Sequence, residues 1–182
     1  MKNIRTNFNK DVKMHLACSN GDFRLIMKNI YFKDGYAYAT DSYILVKNNL
    51  SECSTLPKDQ IELLNGKMLS AKNYANILKY DTITVSEDGI EATKGEDKAF
   101  FYFYQCDSKF PDAEKLIQDL LNKQTVPLAE VGLNLGYLIK LNSSLSGSLR
   151  CKLTFKGECN AVVFYSMETS SVGIIMPVLI NN

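Results

Sequence analysis

The pairing in this sequence whose residue types and spacing could assemble a nucleophile with its base is His15, the only histidine, with Cys18 three residues on. That spacing can share one face of a helix, and the chemistry would be hydrolytic. The sequence shows neither a third group to orient the imidazole nor an oxyanion signature, so His15, set among Met14, Leu16 and Ala17, reads as structural. Cys18, Cys53, Cys106, Cys151 and Cys159 form no C-x-x-C pair, and their odd number reads as reduced, cytosolic thiols. There is no phosphate-cradling glycine loop, no zinc spacing and no paired acidic motif for two metals. Asp107 and Asp112 read as turn residues around Phe110-Pro111. The expectation is a protein with no catalytic residues, no metal and no cofactor.

The chain that must position any site has 182 residues, 46% of them hydrophobic and 23% charged, which is ordinary for a globular protein and excludes disorder and fibrous repeats. Ten Tyr and nine Phe can fill a core that has no Trp. A net charge of +1 cannot hold a polyanion as a basic tail would, so any nucleic-acid contact needs locally clustered charge. The opening MKNIRTNFNKDVK has no apolar signal region, and the apolar runs are too short to span a membrane. A soluble, cytoplasmic protein without membrane contact is expected.

Helical and alternating segments succeed one another in a repeating order. Residues 9–19 read as a helix with Val12, Leu16 and Ser19 on one face, stopped at Asn20-Gly21. Three β-type runs follow at 23–32, 35–41 and 42–48, with turns at Asp34-Gly35 and Asp41-Ser42. The stretch 48–60 reads as a connector. A strand ending near Met68-Leu69 leads into a helix over 70–80 capped by Ser70, and 82–106 holds three more runs with turns at 87–89 and 94–97. Residues 111–124 read as an extra helix. A third copy then has a strand over 126–133, a helix over 134–146 capped near Asn134, and strands within 149–157, 159–166 and 172–180. Three units of a strand, a helix and three strands predict an α+β protein with antiparallel sheets and helices packed on them.

Four stretches, in order and at compatible spacing, carry a resemblance to a known family. They are Ala39-Thr40-Asp41-Ser42-Tyr43-Ile44-Leu45, Phe110-Pro111-Asp112 preceded by Asp107-Ser108-Lys109, Leu133-Asn134-Leu135-Gly136-Tyr137-Leu138, and Ile174-Ile175-Met176-Pro177-Val178. Together they resemble the A-T-D-G-x-R-L, G-[RK]-F-P-D-Y, F-N-x-x-Y-L and M-P-[MV] segments of the bacterial sliding clamp, the beta subunit of DNA polymerase III. The resemblance implies the DNA-clamp, or processivity, fold. Residues 1–112 resemble the clamp's middle domain, and 113–182 resemble a bridging helix followed by the second half of the last domain. A clamp subunit has six such units and a ring twelve, a number that four chains of three would also reach.

The resemblance implies two sites. In the family, helices line a central hole and present cations to the phosphate backbone without reading sequence. The four predicted helices here carry +1, +2, 0 and +1, which leaves −3 for the rest of the chain. Lys10, Lys13, Lys72, Lys79 and Lys140 are the candidate DNA-facing residues, ahead of Arg24 and Lys123. The family also binds linear motifs of polymerases in an apolar pocket. By matched position this pocket would be lined by Met27, Thr40, Ser42, Tyr43, Leu45, Ile174, Met176 and Pro177. Ser42 for the usual Gly, Ile44 for Arg and Gln118 for Pro depart from the family pattern and bear on that pocket. The implied function is a non-catalytic processivity factor that tethers a polymerase or another replication protein to double-stranded DNA as a homo-oligomer. The alternative is a peptide-binding module that does not encircle DNA and competes with or regulates replication proteins.

Overall fold

In the computed structural model, residues 5–21, 24–127, 130–147, 150–157 and 160–179 are described. In chain order the elements are β1 (Asn29–Lys33), β2 (Tyr36–Thr40), β3 (Ile44–Asn49), α1 (Leu50–Cys53), α2 (Lys58–Leu63), β4 (Met68–Ser70), α3 (Ala71–Ile77), β5 (Thr82–Val85), β6 (Gly89–Lys94), β7 (Asp97–Tyr102), α4 (Ala113–Asn122), α5 (Leu135–Ser144), β8 (Cys151–Thr154), β9 (Val162–Ser166) and β10 (Val172–Ile175). Two 3-10 turns, Met14–Ala17 and Leu25–Lys28, precede β1.

The strands form two antiparallel sheets, one of seven strands in the order β4-β1-β2-β3-β10-β9-β8 and one of three, β5-β6-β7. The β1–β2 hairpin closes on Asp34-Gly35, both at positive φ (51° and 78°), the two-residue geometry whose twist matches its strands. The larger sheet joins the two ends of the sequence, because β3 pairs with β10 in the register Leu45↔Ile174 and Val46↔Gly173. Residues 29–49 and 151–175 thus share one continuous sheet.

Side chains alternate across a strand, so each strand of this sheet feeds two cores. Ala37, Ala39, Ile44, Val46, Val162, Phe164 and Ile175 face a cluster that also contains Met14 and Ala17, Tyr74 and Ile77 of α3, Leu141 of α5 and Leu145 just after it. Their alternates Tyr38, Leu45, Val163 and Ile174 face Ala113 and Ile117 of α4. The 3-10 turn at 14–17, α3 and α5 therefore lie on one face of the sheet, and α4 lies on the other.

The expected antiparallel α+β architecture, the α3, α4 and α5 helices and the strands from β2 to β7 are all present. Four expectations are corrected. Residues 9–19 form no α-helix; only Met14–Ala17 winds, as a 3-10 turn. The backbone here bonds to distant partners instead of its own i−4 carbonyls: Asn9 N donates to Cys53 O at 2.8 Å and Lys13 N to Ser143 O at 2.8 Å. Leu16, expected inward, is exposed, while Met14 is buried. The run 23–32 is a 3-10 turn followed by a strand. The connector 48–60 contains α1, capped by Asn49 through its bond from Ser51 N, and α2, entered from Pro57. The strand expected over 126–133 reduces, among the described residues, to a bridge between Gly132 and Val178. Cys159 lies outside the described residues.

Candidate functional site

The helical layer that carries the candidate cations is tied together by polar bonds to its backbone. Ser70 caps α3 by accepting from Asn73 N at 3.1 Å, and Asn134 caps α5 by accepting from Gly136 N at 2.8 Å. Between the two, the segment before the 3-10 turn is held on both sides. Tyr74 Oη donates to Val12 O at 3.1 Å, and Ser144 Oγ donates to Lys13 O at 3.0 Å. Asn48, fully buried on β3, clasps the end of α5, donating to Ser144 O at 2.8 Å and accepting from Ser146 N at 2.9 Å. Gly173 on β10 lets α5 lie close, since a Cβ there would stand 2.8 Å from Leu141 Cδ1.

On this frame the five candidate lysines differ in electrostatic freedom. Lys13 and Lys72 are exposed and have no ion pair among the described residues. Lys79 is exposed and donates to Asn76 Oδ1 at 2.9 Å, a neutral partner that leaves its charge uncompensated. Lys10 is 3.3 Å from Asp81 Oδ1. Lys140 is 3.3 Å from Asp41 Oδ2 and lies over the Tyr137 ring at 5.4 Å. Asp41 is 8% exposed at its side chain and also accepts from Tyr43 N and Ile44 N, both at 3.0 Å. Lys140 therefore serves first to neutralise a nearly buried carboxylate that shapes the β2–β3 loop.

The residues matched to the peptide pocket fall into three groups. Ser42 (φ 81°) at the loop tip accepts from Arg24 Nη1 at 2.6 Å and donates to Met27 Sδ at 3.3 Å. Exposed Tyr43 stacks on Tyr137, with ring centroids 4.9 Å apart, and its carbonyl accepts from Met176 N at 2.8 Å. Thr40 is buried and donates to Ile44 O at 2.7 Å. Leu45 and Ile174 are cross-strand partners buried in the α4-side cluster. Ile174 and exposed Met176 border a cleft of about 380 Å³ whose other wall is α4, with Leu116 and Leu120. Pro177 follows at the end of β10. The loop-tip residues and Leu45 do not line that cleft, and α4 as its wall was missed by reasoning from the sequence. The signal was there in the apolar spacing of Leu116, Ile117 and Leu120 on an otherwise charged helix.

A polar clip holds α4 in place. Glu114 accepts from Lys47 Nζ at 2.6 Å, Tyr38 Oη at 2.8 Å and Gln118 Nε2 at 2.9 Å. Burial pushes its carboxyl up, but these bonds and the Lys47 charge outweigh burial and hold it down at about 2. Burial, reinforced by Glu114, pushes the Tyr38 hydroxyl well above its ordinary value. Gln118, one of the departures from the family pattern, is thus part of the clip.

The His15–Cys18 pair has the opposite character. Burial and, less strongly, the Asp41 charge push the Cys18 thiol far up, and its nearest polar partner is Met14 O at 3.9 Å. Burial, then Lys13, lowers the His15 imidazole, which sits 6.2 Å from the Tyr74 ring. A thiol raised this far is not a thiolate nucleophile at neutral pH.

No family model matches the chain, and no curated protein matches its sequence. Solved structures do match. A DNA polymerase sliding clamp from Pseudomonas aeruginosa superposes with a TM-score of 0.65 at 14% identity, covering 94% of this chain and 64% of that one. A sliding clamp from Bacillus subtilis gives 0.62 at 14% identity, covering 100% and 66%. A DnaN sliding clamp (DNA polymerase III subunit beta) from Bartonella birtlesii bound to griselimycin gives 0.61 at 15% identity, covering 97% and 67%. This chain has the sliding-clamp fold and resembles the DNA polymerase III beta subunit. It spans under two thirds of the first-matched clamp's length, 64%.

Proposed function

We propose that this chain is a non-catalytic, clamp-type protein of the cytoplasm that holds double-stranded DNA without sequence preference and tethers a replication protein to it as a homo-oligomer. One observation carries the reading: a clamp fold presents, on a single face, a helical layer with Lys13, Lys72 and Lys79 free of ionic partners among the described residues. Lys10 and Lys140 join them at the cost of weakening their bonds to Asp81 and Asp41. Residues 1–112 correspond in this reading to a middle clamp domain, and 113–182 to a bridging helix and a half-domain. Phosphate contact through lysines needs no base readout and permits sliding.

The test is retention on nicked circular DNA. The protein is expected to stay on the circle and to be lost when it is linearised. Each of Lys13→Ala and Lys72→Ala should lower the salt dependence of binding by roughly one unit of slope. Binding indifferent to both substitutions would refute the DNA-facing assignment.

The cleft between α4 and β10 favours a second reading, a peptide-binding module that does not encircle DNA and competes with or regulates replication proteins. Met176 at its rim is an adaptable contact for varied linear motifs. Met27, Thr40, Ser42, Tyr43, Leu45, Ile174 and Pro177 would support it by shaping the loop and sheet around it. A monomer with no DNA retention that binds a polymerase-derived peptide, and loses it on Met176→Asp, would select this reading.

A further inference from the structure

The first two structural units of this chain complete each other by exchanging their leading segments. β4, which leads into α3, lies on β1 of the other unit in the register Asn29↔Ser70, Ile30↔Leu69 and Tyr31↔Met68. In return, Thr6, which leads toward the 3-10 turn at 14–17, accepts from Ile83 N of β5 at 2.6 Å. On its other side, each leading segment is tied to the chain just past its own unit's last strand. Phe8 bridges Ser54 beyond β3, and Met68 O accepts from Tyr104 N beyond β7.

The third unit repeats half of this pattern. Its leading segment enters the Asn134 cap of α5, and Gly132 bridges Val178 beyond β10, as the pattern requires. Among the described residues the exchange is missing, and the one backbone bond that the stretch before α5 makes near β8 is Val126 N to Phe155 O, past that strand's end, at 3.0 Å. β8, the counterpart of β1 and β5, is the outer edge of the seven-stranded sheet. The leading segment at 131–133 has no second strand beside it among the described residues.

Apolar surface follows the same open side. Leu135 (71% exposed) and Ile139 (67%) stand on α5, with Leu138 and Asn142 continuing an uncharged stripe at helical spacing, and Leu153 on β8 is 42% exposed. Between α5 and β8 lies a cleft of about 430 Å³ walled by Leu138, Ile139, Leu141, Leu145, Leu153 and Phe164. In the paired units the matching space is filled, and Met14, Tyr74 and Ile77 there are fully buried.

We propose that a second copy of this chain fills it, so that two third units complete each other as the first two do. In the dimer the 131–133 segment of each copy extends the β8 edge of the other about a two-fold axis, and the two α5 stripes pack face to face. The segment and the edge complement each other, and a two-fold axis satisfies both at once, which makes the contact isologous and closed. The stripe carries no like charges to oppose self-contact; Lys140, the only charge on α5, is turned to Asp41. The pairing is independent of DNA and peptide binding.

The experiment is solution mass by light scattering over about 1 to 100 μM, the range of micromolar dissociation constants, with amide exchange of β8 read on the same samples. Wild type is expected to form a dimer or a multiple of it, with β8 amides protected on association. Ile139→Asp should weaken association at least about 100-fold by placing carboxylates at the two-fold axis, with circular dichroism unchanged because Ile139 is exposed in the single chain. Phe100→Asp on β7 should leave at least a dimer. A wild-type monomer across the range overturns the proposal. So does an assembly whose order Ile139→Asp leaves unchanged, or one in which β8 amides exchange as freely as in the monomer.

Discussion

The two faces of the seven-stranded sheet are covered by different physical means. On one, Phe8, Phe32, Tyr74, Ile77 and Leu141 interlock with three helical segments in a continuous apolar core, and two of the polar groups that enter, Asn48 and Tyr74 Oη, are satisfied by backbone. On the other, a single amphipathic helix, α4, rests on a small cluster around Ile117 and is held by Glu114 with its three donors. The first face depends on packing and fails as a unit. The second rests on two buried side chains, Ala113 and Ile117, and one carboxylate, so it can loosen while the sheet persists.

The sharpest break falls on the packed face. Phe32→Ala, which deletes a fully buried ring stacked 6.0 Å from Phe8, should cost about 3–5 kcal/mol in urea denaturation. A loss below about 1 kcal/mol would show that this face is not the core. Ile117→Ala should cost about 2–4 kcal/mol, but the loss should appear as fast amide exchange confined to α4, with β2, β3 and β10 still protected. Uniform exchange across the sheet would erase the contrast.

Acid tests the clip. Because the folded Glu114 carboxyl titrates at about 2, below its ordinary 4.5, its contribution to stability is present above pH 4.5 and is lost as pH falls toward 2. The stability difference between wild type and Glu114→Gln should therefore shrink across that window, and a difference constant down to pH 2 would rule the clip out. The smallest effect is local to the cap of α3: Ser70→Ala should cost about 1 kcal/mol, read as a shift in urea midpoint at unchanged slope.

The sequence made legible those elements whose signals are local. The Asp34-Gly35 turn, the Ser70 and Asn134 caps and the alternation in β5 each arise within a few residues, and each matches the structure. Residues 9–19 misled because their helical spacing is overridden by distant partners, Cys53 and Ser143, that no window on the sequence contains. α1 and α2 escaped notice because they are short and α2 buries no side chain fully, which leaves only the Asn49 cap and the Pro57 entry as signals. The candidate lysines were found by charge on helices, yet the pairing of Lys140 with Asp41 spans two units and is visible only in three dimensions. α4 was correctly read as a helix, but its side of the sheet follows from the register of β3 with β10.

That register also sets an order of events during synthesis. β3 is made before β10, its partner on that side, which follows only after β4 to β9 have been made. Until β10 has been made the edge of Ile44, Leu45 and Val46 is therefore open, an apolar strand template exposed in the nascent chain. The arrival of β10 covers that edge and sets Ile174 against Leu45. Completion of the sheet is thus a late, long-range closure, and shielding β3 until then becomes a task for the cell's folding machinery.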